Sequence, residues 1–454
     1  MSSLTIAIIV VFIVGYFFIA IESVTKVNKA AVALLMFVAC WTLFMIDPGQ
    51  YVGGGLSGQS LINAVSGSIE EHLGSTSTTL FFLMGAMTIV EVVDQNGGFD
   101  WVRGVLKTRS KRKLLWCVAF MTFFLSAILD NLTTSIVMIM ILRKLVHDHK
   151  DRLIYASLVI IAANSGGAFS PIGDVTTIML WNKGVITAMG VISEILIPSV
   201  VSMVIPAFIL QMGLRGELDE PATAVAKEDS QVLDFSSRQR KAIFALGVGG
   251  LIFVPVFKSI THLPPFVGIL LVLGVVWTVT EIFYRRLRRG HDDEGTQKRV
   301  VNLLHRIDMS TILFFLGILM AVACLEDVGV LTALGGWLND TFNGNHYIVT
   351  GIIGVLSSIV DNVPLVAGCM GMYPVAPTGD LAVDGIFWQL LAYCAGVGGS
   401  ILIIGSAAGV VVMGLEKITF GWYMKHVSWI ALIGYLVGIV SYWLIRTYLF
   451  AVPL

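Results

Sequence analysis

Two Asp-Asn pairs lie inside long apolar stretches of the sequence, where charged side chains are rare. The first pair, Asp130-Asn131, is in the middle of the apolar run 114–142, and the second, Asp361-Asn362, is in the run 347–373. Similar residues precede both pairs, Leu-Ser-Ala-Ile-Leu in the first copy and Leu-Ser-Ser-Ile-Val in the second. Placing an Asp at mid-membrane depth costs roughly 2.5 to 3.5 kcal/mol on insertion scales. A buried carboxylate that occurs twice in one pattern therefore indicates a functional site.

Two further stretches combine polar residues with helix breakers. Residues 164–174 read Asn-Ser-Gly-Gly-Ala-Phe-Ser-Pro-Ile-Gly-Asp, and residues 396–409 contain Gly-Val-Gly-Gly-Ser and Gly-Ser-Ala-Ala-Gly. Glycine and proline at this density interrupt an α-helix. A helix broken at mid-depth frees carbonyl oxygens on one side of the break and presents a positive helix end on the other, which supplies ligands for a small ion. We expect the two breaks and the two Asp-Asn tips to converge.

The residue types at this expected site favour a hard cation. Alkali cations prefer carboxylate, amide, hydroxyl and carbonyl oxygens, and we expect Asp130, Asp174 and Asp361 to carry most of the negative charge. These stretches contain no Arg or Lys, which normally meet an anionic substrate. One carboxylate can hold a proton or a sodium ion but not both, which is the simplest basis for antiport. Helix capping by Asp, and backbone bonding by Thr176 and Thr177, are the alternative roles.

The composition places the site in a membrane. Of the 454 residues 56% are hydrophobic and 13% charged, and the mean hydropathy is +0.86. This leaves too little polar surface to cover a soluble globule. Lys and Arg occur in short segments between apolar spans and form no surface for nucleic acid. We expect a polytopic carrier and not an enzyme, with the lipid bilayer as its surroundings and no cofactor besides the transported ions.

A membrane helix needs about 20 mostly apolar residues, which predicts ten spans and a separate external surface helix around residues 62–72. The positive-inside rule places Lys26, Lys29 and the basic cluster 103–113 in the cytoplasm. The amino terminus is then outside, and the membrane is a cytoplasmic membrane of the bacterial type. The predicted spans are approximately 4–22, 28–46, 78–97, 153–180, 187–212, 242–260, 264–284, 309–328, 386–415 and 427–449.

Each Asp-Asn run is predicted to be a re-entrant hairpin. The run 114–142 has basic clusters at both ends, so both ends face the cytoplasm and the run does not cross the membrane. The run 347–373 has acidic flanks without Lys or Arg, so this hairpin enters from outside. Irregular backbone at a tip is tolerated where protein buries it or where it lines a cavity.

The predicted fold class is an all-α polytopic membrane protein with two inverted five-helix repeats, each containing a re-entrant hairpin and a broken transmembrane helix. The first repeat covers 1–213, a cytoplasmic linker covers 214–241, and the second repeat covers 242–454. An odd number of spans in each half forces the second copy to be inverted. Three motif pairs share an offset near 232: Leu80-Phe81-Phe82-Leu83 with Leu313-Phe314-Phe315-Leu316, Gly166-Gly167 with Gly398-Gly399, and Gly173 with Gly405.

These motifs resemble the NhaD-type sodium/proton antiporters of the ion transporter superfamily, over nearly the whole chain. The resemblance rests on the paired Asp-Asn hairpins, on residues 164–177 and on the glycine-serine break 398–406. Dicarboxylate carriers of the superfamily typically have Ser-Asn-Thr at both tips, where this chain has Asp-Asn-Leu-Thr and Asp-Asn-Val-Pro. The resemblance implies exchange of cytoplasmic sodium or lithium for external protons, elevator-like movement of the hairpins and broken helices, and a homodimer.

The resemblance also implies which residues handle the ions. Those expected to bind Na⁺ or Li⁺ directly are Asp130, Asn131, Asp174, Asp361 and Asn362. Further candidates for cation and proton binding are Asn164, Thr176, Thr177, Ser400 and Ser406, and the hydroxyls of Thr133 and Ser165 in the same stretches complete the set. Two alternatives stay open. One is an exporter of arsenite or another anion on the same fold, and the other is the membrane subunit of a sodium-pumping decarboxylase.

Overall fold

A computed structural model describes residues 2–20, 25–52, 56–98, 106, 108–214, 216–218, 235–287, 300–359 and 362–448. The regular secondary structure of these residues is helical, apart from an isolated β-bridge between Ser110 and Glu217. The prediction of an all-α fold is therefore confirmed. Asp361 and residues 219–234 of the predicted linker lie outside the described residues.

The described residues before the linker form eight α-helices. Polar side chains cap several of their first turns, because the first N–H groups of a helix have no partner within it. Asn28, Ser110, Asp148 and Thr187 each accept such a hydrogen bond. The helices are α1 (Ser3–Ala20), α2 (Lys29–Phe44), α3 (Gln59–Gln95), α4 (Lys111–Leu129), α5 (Asn131–Leu145), α6 (His149–Ala168), α7 (Val175–Lys183) and α8 (Ala188–Leu210).

The described residues after the linker form nine helices of more than one turn. One of them, over residues 330–341, lies in the acidic flank of the second hairpin run, where no element was predicted. The helices are α9 (Ser237–Thr261), α10 (Pro265–Leu287), α11 (Met309–Asp327), α12 (Val330–Thr341), α13 (His346–Leu356), α14 (Asn362–Met372), α15 (Ile386–Gly398), α16 (Ala407–Glu416) and α17 (Trp429–Tyr448).

Seven helical stretches of the described residues are long and apolar enough to cross a membrane. Predicted spans four and nine are each divided in two, α6 with α7 and α15 with α16, at the glycine-rich motifs. The separate surface helix predicted at 62–72 is wrong, because these residues form the first part of the 37-residue helix α3. Ser68 and His72 of this part both bond to Asp327 at the end of α11. These bonds hold the polar first turns of α3 on the same helix axis as its apolar later turns.

Helices α4 and α5 form a hairpin against α6. At the open end, the Tyr155 hydroxyl of α6 donates to the Lys111 carbonyl oxygen at 2.6 Å, and Arg152 donates to the Val146 carbonyl oxygen at 3.0 Å. The start of α4 and the end of α5 therefore lie at the same end of α6. At the closed end, the Ser126 hydroxyl donates to the Ala163 carbonyl oxygen at 2.6 Å.

Helices α13 and α14 form a second hairpin, which packs against α15. His346 at the start of α13 and Tyr373 just after α14 both contact the Phe387 ring, with ring centroids 5.6 and 4.5 Å away. At the closed end, the Ser357 hydroxyl donates to the Ala395 carbonyl oxygen at 2.8 Å. Both hairpins are thus tied to a broken helix through a serine that lies just before the tip.

The centre of the molecule is formed by α6 and α15. Every residue from Tyr155 to Ala168 in α6, and from Phe387 to Gly398 in α15, is buried. A helix with apolar residues on all sides is expected in the interior. The polar residues at the ends of these two helices are therefore held inside an apolar bundle.

Candidate functional site

Asp130 forms the whole turn between α4 and α5. Its backbone has φ +93° and ψ 159°, a conformation that residues other than glycine rarely adopt. Its carboxylate accepts hydrogen bonds from the Thr133 backbone N–H at 2.7 Å and from the Thr133 hydroxyl at 2.9 Å. Asp130 is therefore the N-cap of α5, and both residues are partly exposed at the tip.

Asp174 caps the helix that follows the first break. It lies just before α7 in extended conformation, and one carboxylate oxygen accepts from the Thr176 backbone N–H at 3.0 Å. The side chain of Asp174 is only 1% exposed. Its other oxygen accepts a hydrogen bond from the side-chain amide of Asn131 at 2.8 Å. The amide of Asn362 lies 3.4 and 3.5 Å from the two oxygens.

The two hairpin tips therefore meet at one carboxylate. Asn131 is the first residue of α5, and Asn362 is the first residue of α14. Each directs its amide at Asp174, and both side chains are buried. The paired Asp-Asn motifs thus contribute their asparagines to a common centre in the described part of the chain.

Asn164 connects this centre to the second broken helix. Its amide oxygen accepts from Asn131 at 3.1 Å, and its amide nitrogen donates to the hydroxyls of Ser400 and Ser406, each at 2.9 Å. Ser406 also caps α16 by accepting from the Gly409 backbone N–H. All three residues are buried. The network therefore joins both hairpin tips with both breaks, as the sequence predicted.

The hydroxyls of four predicted residues lie outside this network. The Ser165 hydroxyl accepts a hydrogen bond from Ser202 of α8 at 3.0 Å, and Thr133 bonds only to Asp130 among the hydrogen bonds described. Thr177 donates to the Asp174 backbone carbonyl at 2.9 Å, which is the backbone-bonding role. The buried Thr176 hydroxyl has no hydrogen-bond partner within the described residues.

Sequence reasoning missed two hydroxyls that support the site. The Tyr423 hydroxyl donates to the Ser400 carbonyl oxygen at 2.8 Å, and Ser202 binds Ser165 as described above. Tyr423 lies in a short helical turn before α17, and Ser202 lies in the middle of an apolar span. No motif marks either position.

A small polar cavity lies next to the centre. It has a volume of about 100 Å³, enough for roughly three waters at ~30 Å³ each. Met179 of α7 and Ala367 of α14 line it, each five residues beyond Asp174 or Asn362. Glu326 and His72 line its other side, on α11 and α3. The cavity therefore lies between α3 and α11 on one side and α7 and α14 on the other.

A bundle of apolar helices with two hairpins, two broken helices and a buried polar network defines a multi-pass membrane transport protein. Residues 16–390 match the citrate transporter family CitMHS. The chain belongs to this family.

Its relatives include named antiporters. Sodium/proton antiporter 1 of Arabidopsis thaliana is 41% identical over 450 residues, which cover 99% of this chain and 74% of the relative. The Na(+)/H(+) antiporter NhaD of Vibrio cholerae is 27% identical over 470 residues, which cover 98% of this chain and 92% of the relative. The resemblance to NhaD-type antiporters that the motifs predicted is therefore confirmed.

A solved structure supports the fold. The Alcanivorax borkumensis YdaH transporter, whose topology is described as unusual, superposes with a TM-score of 0.61 over 92% of this chain and 98% of that chain. The two sequences are 14% identical, so this likeness concerns the fold alone.

Proposed function

We propose that this protein is a secondary active antiporter that exchanges cytoplasmic Na⁺ or Li⁺ for external H⁺. The observation that carries the proposal is the convergence of Asn131 and Asn362, from opposite hairpins, on the buried carboxylate of Asp174. A buried carboxylate in an apolar bundle is a functional feature by default. The names of the Arabidopsis and Vibrio relatives point to the same exchange.

The residues of the network suit a small hard cation. A side-chain amide carries an oxygen as well as N–H donors, and the two are exchanged by a half-turn of the amide group. Asn131, Asn362 and Asn164 can therefore present oxygens to a cation held by Asp174, with the hydroxyls of Ser400, Ser406 and Thr176 nearby. Asp130 and Asp361 belong to the proposed set as the carboxylates of the two tips.

Competition at the carboxylates is the proposed coupling. A protonated carboxyl group has lost the charge that attracts Na⁺, and a bound Na⁺ opposes protonation. The half-saturating Na⁺ concentration is therefore expected to rise as the pH falls. No part of this mechanism needs an enzyme reaction or a cofactor.

The proposed topology places two inverted repeats, 1–213 and 242–454, on either side of a cytoplasmic linker, with the amino terminus outside. The repeat is supported by matched contacts, because Ser126 binds the Ala163 carbonyl as Ser357 binds the Ala395 carbonyl. Basic residues flank the first hairpin and acidic residues the second, which supports entry from opposite sides.

Alternating access is proposed to follow an elevator-like movement of the hairpins and broken helices. The polar cavity beside Glu326 separates α7 and α14 from α3 and α11, and so lies where moving and fixed elements would slide. The family resemblance further implies a homodimer in a cytoplasmic membrane, and we include both in the proposal.

The family's name refers to citrate, and an anion carrier is the first alternative. An anion is normally held by Arg, Lys or helix amino ends. The contacts described for the network come instead from one carboxylate, three amides and two hydroxyls. These groups favour a cation. A sodium-pumping decarboxylase subunit, the second alternative, would need partner subunits for activity.

The test is proton flux in liposomes that contain only the purified protein. With an imposed pH gradient, Na⁺ or Li⁺ is expected to dissipate the gradient, whereas K⁺, arsenite and citrate are not. Asp130→Asn and Asp361→Asn are each expected to abolish the response, because each removes a tip carboxylate. A response to arsenite or citrate alone would replace the proposed substrate, and silence toward every solute would favour the decarboxylase subunit.

A further inference from the structure

A large cavity separates the scaffold helix α9 from the first hairpin and the first break. Its volume is about 870 Å³. One wall is formed by Ile252, Pro255, Val256 and Ile260 of α9. The opposite wall is formed by the last turn of α4, the break after α6 and the start of α8, through Ala127, Ile128, Pro171, Ile172, Ala188 and Ile192. The walls are therefore mostly apolar.

The mouth of this cavity is lined by exposed apolar side chains. Met189 and Ile260, on opposite walls, are 73% and 70% exposed, and Ile252 is 53% exposed. Helix α9 is one of the stretches that can cross a membrane, and little of its surface is covered by the rest of the chain. An apolar mouth beside such a helix suits a lipid chain better than water.

One end of the cavity carries a positive charge. Lys258, in the last turn of α9, donates from its ammonium group to the Trp181 carbonyl oxygen at 3.0 Å, and the ammonium lies 4.5 Å from the centre of the Trp181 ring. An ammonium has three donors, so others are available for a ligand. Ser259 and His262 line the same end. His262 is exposed and ends the helix, which places this end near the membrane surface.

We propose that the cavity binds one phospholipid with an anionic headgroup. The phosphate lies at Lys258 and His262, and one acyl chain runs down the cavity to Ala127, Ile128 and the break at Pro171. An apolar space with a cationic group at its surface end matches an acyl chain attached to a phosphate, because an ammonium group attracts an anionic headgroup. The lipid would fill the space between α9 and the elements that carry Asp130 and Asp174. The inference depends on membrane location and not on which ion is transported.

Tryptophan fluorescence tests the occupant. The chain has ten Trp, and Trp181 lines the cavity while being only 2% exposed, so lipids on the outer surface of the protein do not reach it. The protein is reconstituted in phosphatidylcholine containing phosphatidylglycerol that carries bromine on the acyl carbons nearest the glycerol, because Trp181 lies at the headgroup end of the cavity and bromine quenches only nearby indoles. Trp181→Phe is expected to lose a measurable part of the fluorescence quenching that the wild-type protein shows. Trp429, which is 49% exposed, serves as the control for surface lipid through Trp429→Phe.

The headgroup assignment is tested with Lys258→Gln. A Lys near the surface is worth about 1 kcal/mol toward an anionic headgroup, so this variant is expected to lower the preference of the Trp181 site for brominated phosphatidylglycerol over brominated phosphatidylcholine about five-fold. Lys183→Gln is the matched control, because Lys183 is an exposed lysine near Trp181 that does not line this cavity. Lipid retained on the purified protein, counted by native mass spectrometry, gives a second readout that does not depend on Trp181.

The possible results are distinct. Two results together support the proposal. The first is quenching in the wild-type protein that is partly lost in Trp181→Phe, and the second is lipid that is retained in Lys183→Gln but not in Lys258→Gln. An unquenched Trp181 in well-folded protein overturns it and leaves a second copy of the chain as the cover of the cavity. Equal quenching by both brominated lipids in the wild-type protein overturns the headgroup assignment.

Discussion

The two breaks of this molecule have the same shape and different chemistry. Asp174 and Ser406 lie 232 residues apart, and each caps the short helix that follows a break. Their backbones are nearly identical, with φ and ψ of −144° and 148° at Asp174 and of −140° and 154° at Ser406. The first break therefore places a carboxylate where the second places a hydroxyl.

The shared shape depends on glycines. A Cβ on Gly166 would lie 2.1 Å from the Phe123 carbonyl oxygen, and a Cβ on Gly398 would lie 2.1 Å from the Gly354 carbonyl oxygen. Each hairpin thus packs backbone against backbone on its own broken helix. This close approach brings the tip asparagine of each hairpin to the centre.

The backbone geometry of the break thus occurs twice, whereas the carboxylate of Asp174 has only the hydroxyl of Ser406 at the matching position. Asn164, which joins the two breaks, corresponds in position to Gly396, which has no side chain. Within the described residues, the first half supplies both the buried carboxylate and the amide that links the halves. The proposed ion site is therefore asymmetric, although the two breaks have the same backbone geometry.

The largest expected difference in flux is between substitutions of the two cap residues, Asp174 and Ser406. Asp174→Asn should lower Na⁺-dependent proton flux by at least about 100-fold, because a neutral amide neither attracts Na⁺ as a carboxylate does nor takes up the proton that competes with it. Asn still caps a helix well, so the fold should persist. Ser406→Ala, which loses a cap worth about 1 kcal/mol, should lower flux by less than about ten-fold. Flux in liposomes measures both, with thermal unfolding as the folding control. Equal losses of flux would contradict the asymmetry of charge.

An intermediate effect tests the shared shape. Gly166→Ala and Gly398→Ala should each destabilise the protein by about 1 to 3 kcal/mol, since each methyl group would overlap a carbonyl oxygen. Gly249→Ala in α9 is the matched control. It has open space around its Cβ position and should be neutral or stabilising by up to about 1 kcal/mol. The apparent unfolding midpoint in detergent measures these changes, and a loss at only one of the two breaks would show that the halves pack differently.

The smallest effect concerns the serines before the tips. Ser126→Ala and Ser357→Ala each remove a buried hydroxyl bond to a carbonyl oxygen, and each should destabilise the protein by about 1 kcal/mol with little change in flux. Ser193→Ala removes an exposed local bond of the same kind and should stay within about 0.5 kcal/mol. Thermal unfolding compares the three variants. A large fall in flux in only one of Ser126→Ala and Ser357→Ala would show that the hydrogen bond of that hairpin also matters for transport.

Much of the fold could be predicted from local residue types. Apolar length predicted six of the seven described stretches that are long and apolar enough to cross a membrane, whereas the helices in the predicted spans 4–22 and 28–46 are shorter. Glycine with proline predicted the divisions of residues 153–180 and 386–415. The continuation of α3 through residues 62–72 could not be predicted, because it depends on bonds from Ser68 and His72 to a residue more than 250 positions away. Helix α12 was missed because its short amphipathic turns gave no span-length signal.

The candidate site was predicted in part. The sequence indicated that tips and breaks converge, and Asn131, Asn164, Asp174, Asn362, Ser400 and Ser406 do form one network. It placed Asp130, Asp174 and Asp361 together as the carboxylates expected to hold most of the negative charge, and it favoured the paired Asp130 and Asp361. In the structure Asp130 bonds to its own helix, whereas Asp174 receives both tip asparagines. Asp361 stays a prediction, because it lies outside the described residues.

The sequence by itself determined that this is a helical membrane protein with two hairpins and two interrupted helices, because hydrophobic length and backbone-breaking residues act over a few turns. Only the tertiary structure decided which of the two described carboxylates, Asp130 or Asp174, receives both tip asparagines. Asn131 and Asp174 are 43 residues apart, and Asn362 and Asp174 are 188 apart. The direction of a hydrogen bond across such separations depends on how the hairpins pack against α6 and α15, which no local pattern encodes.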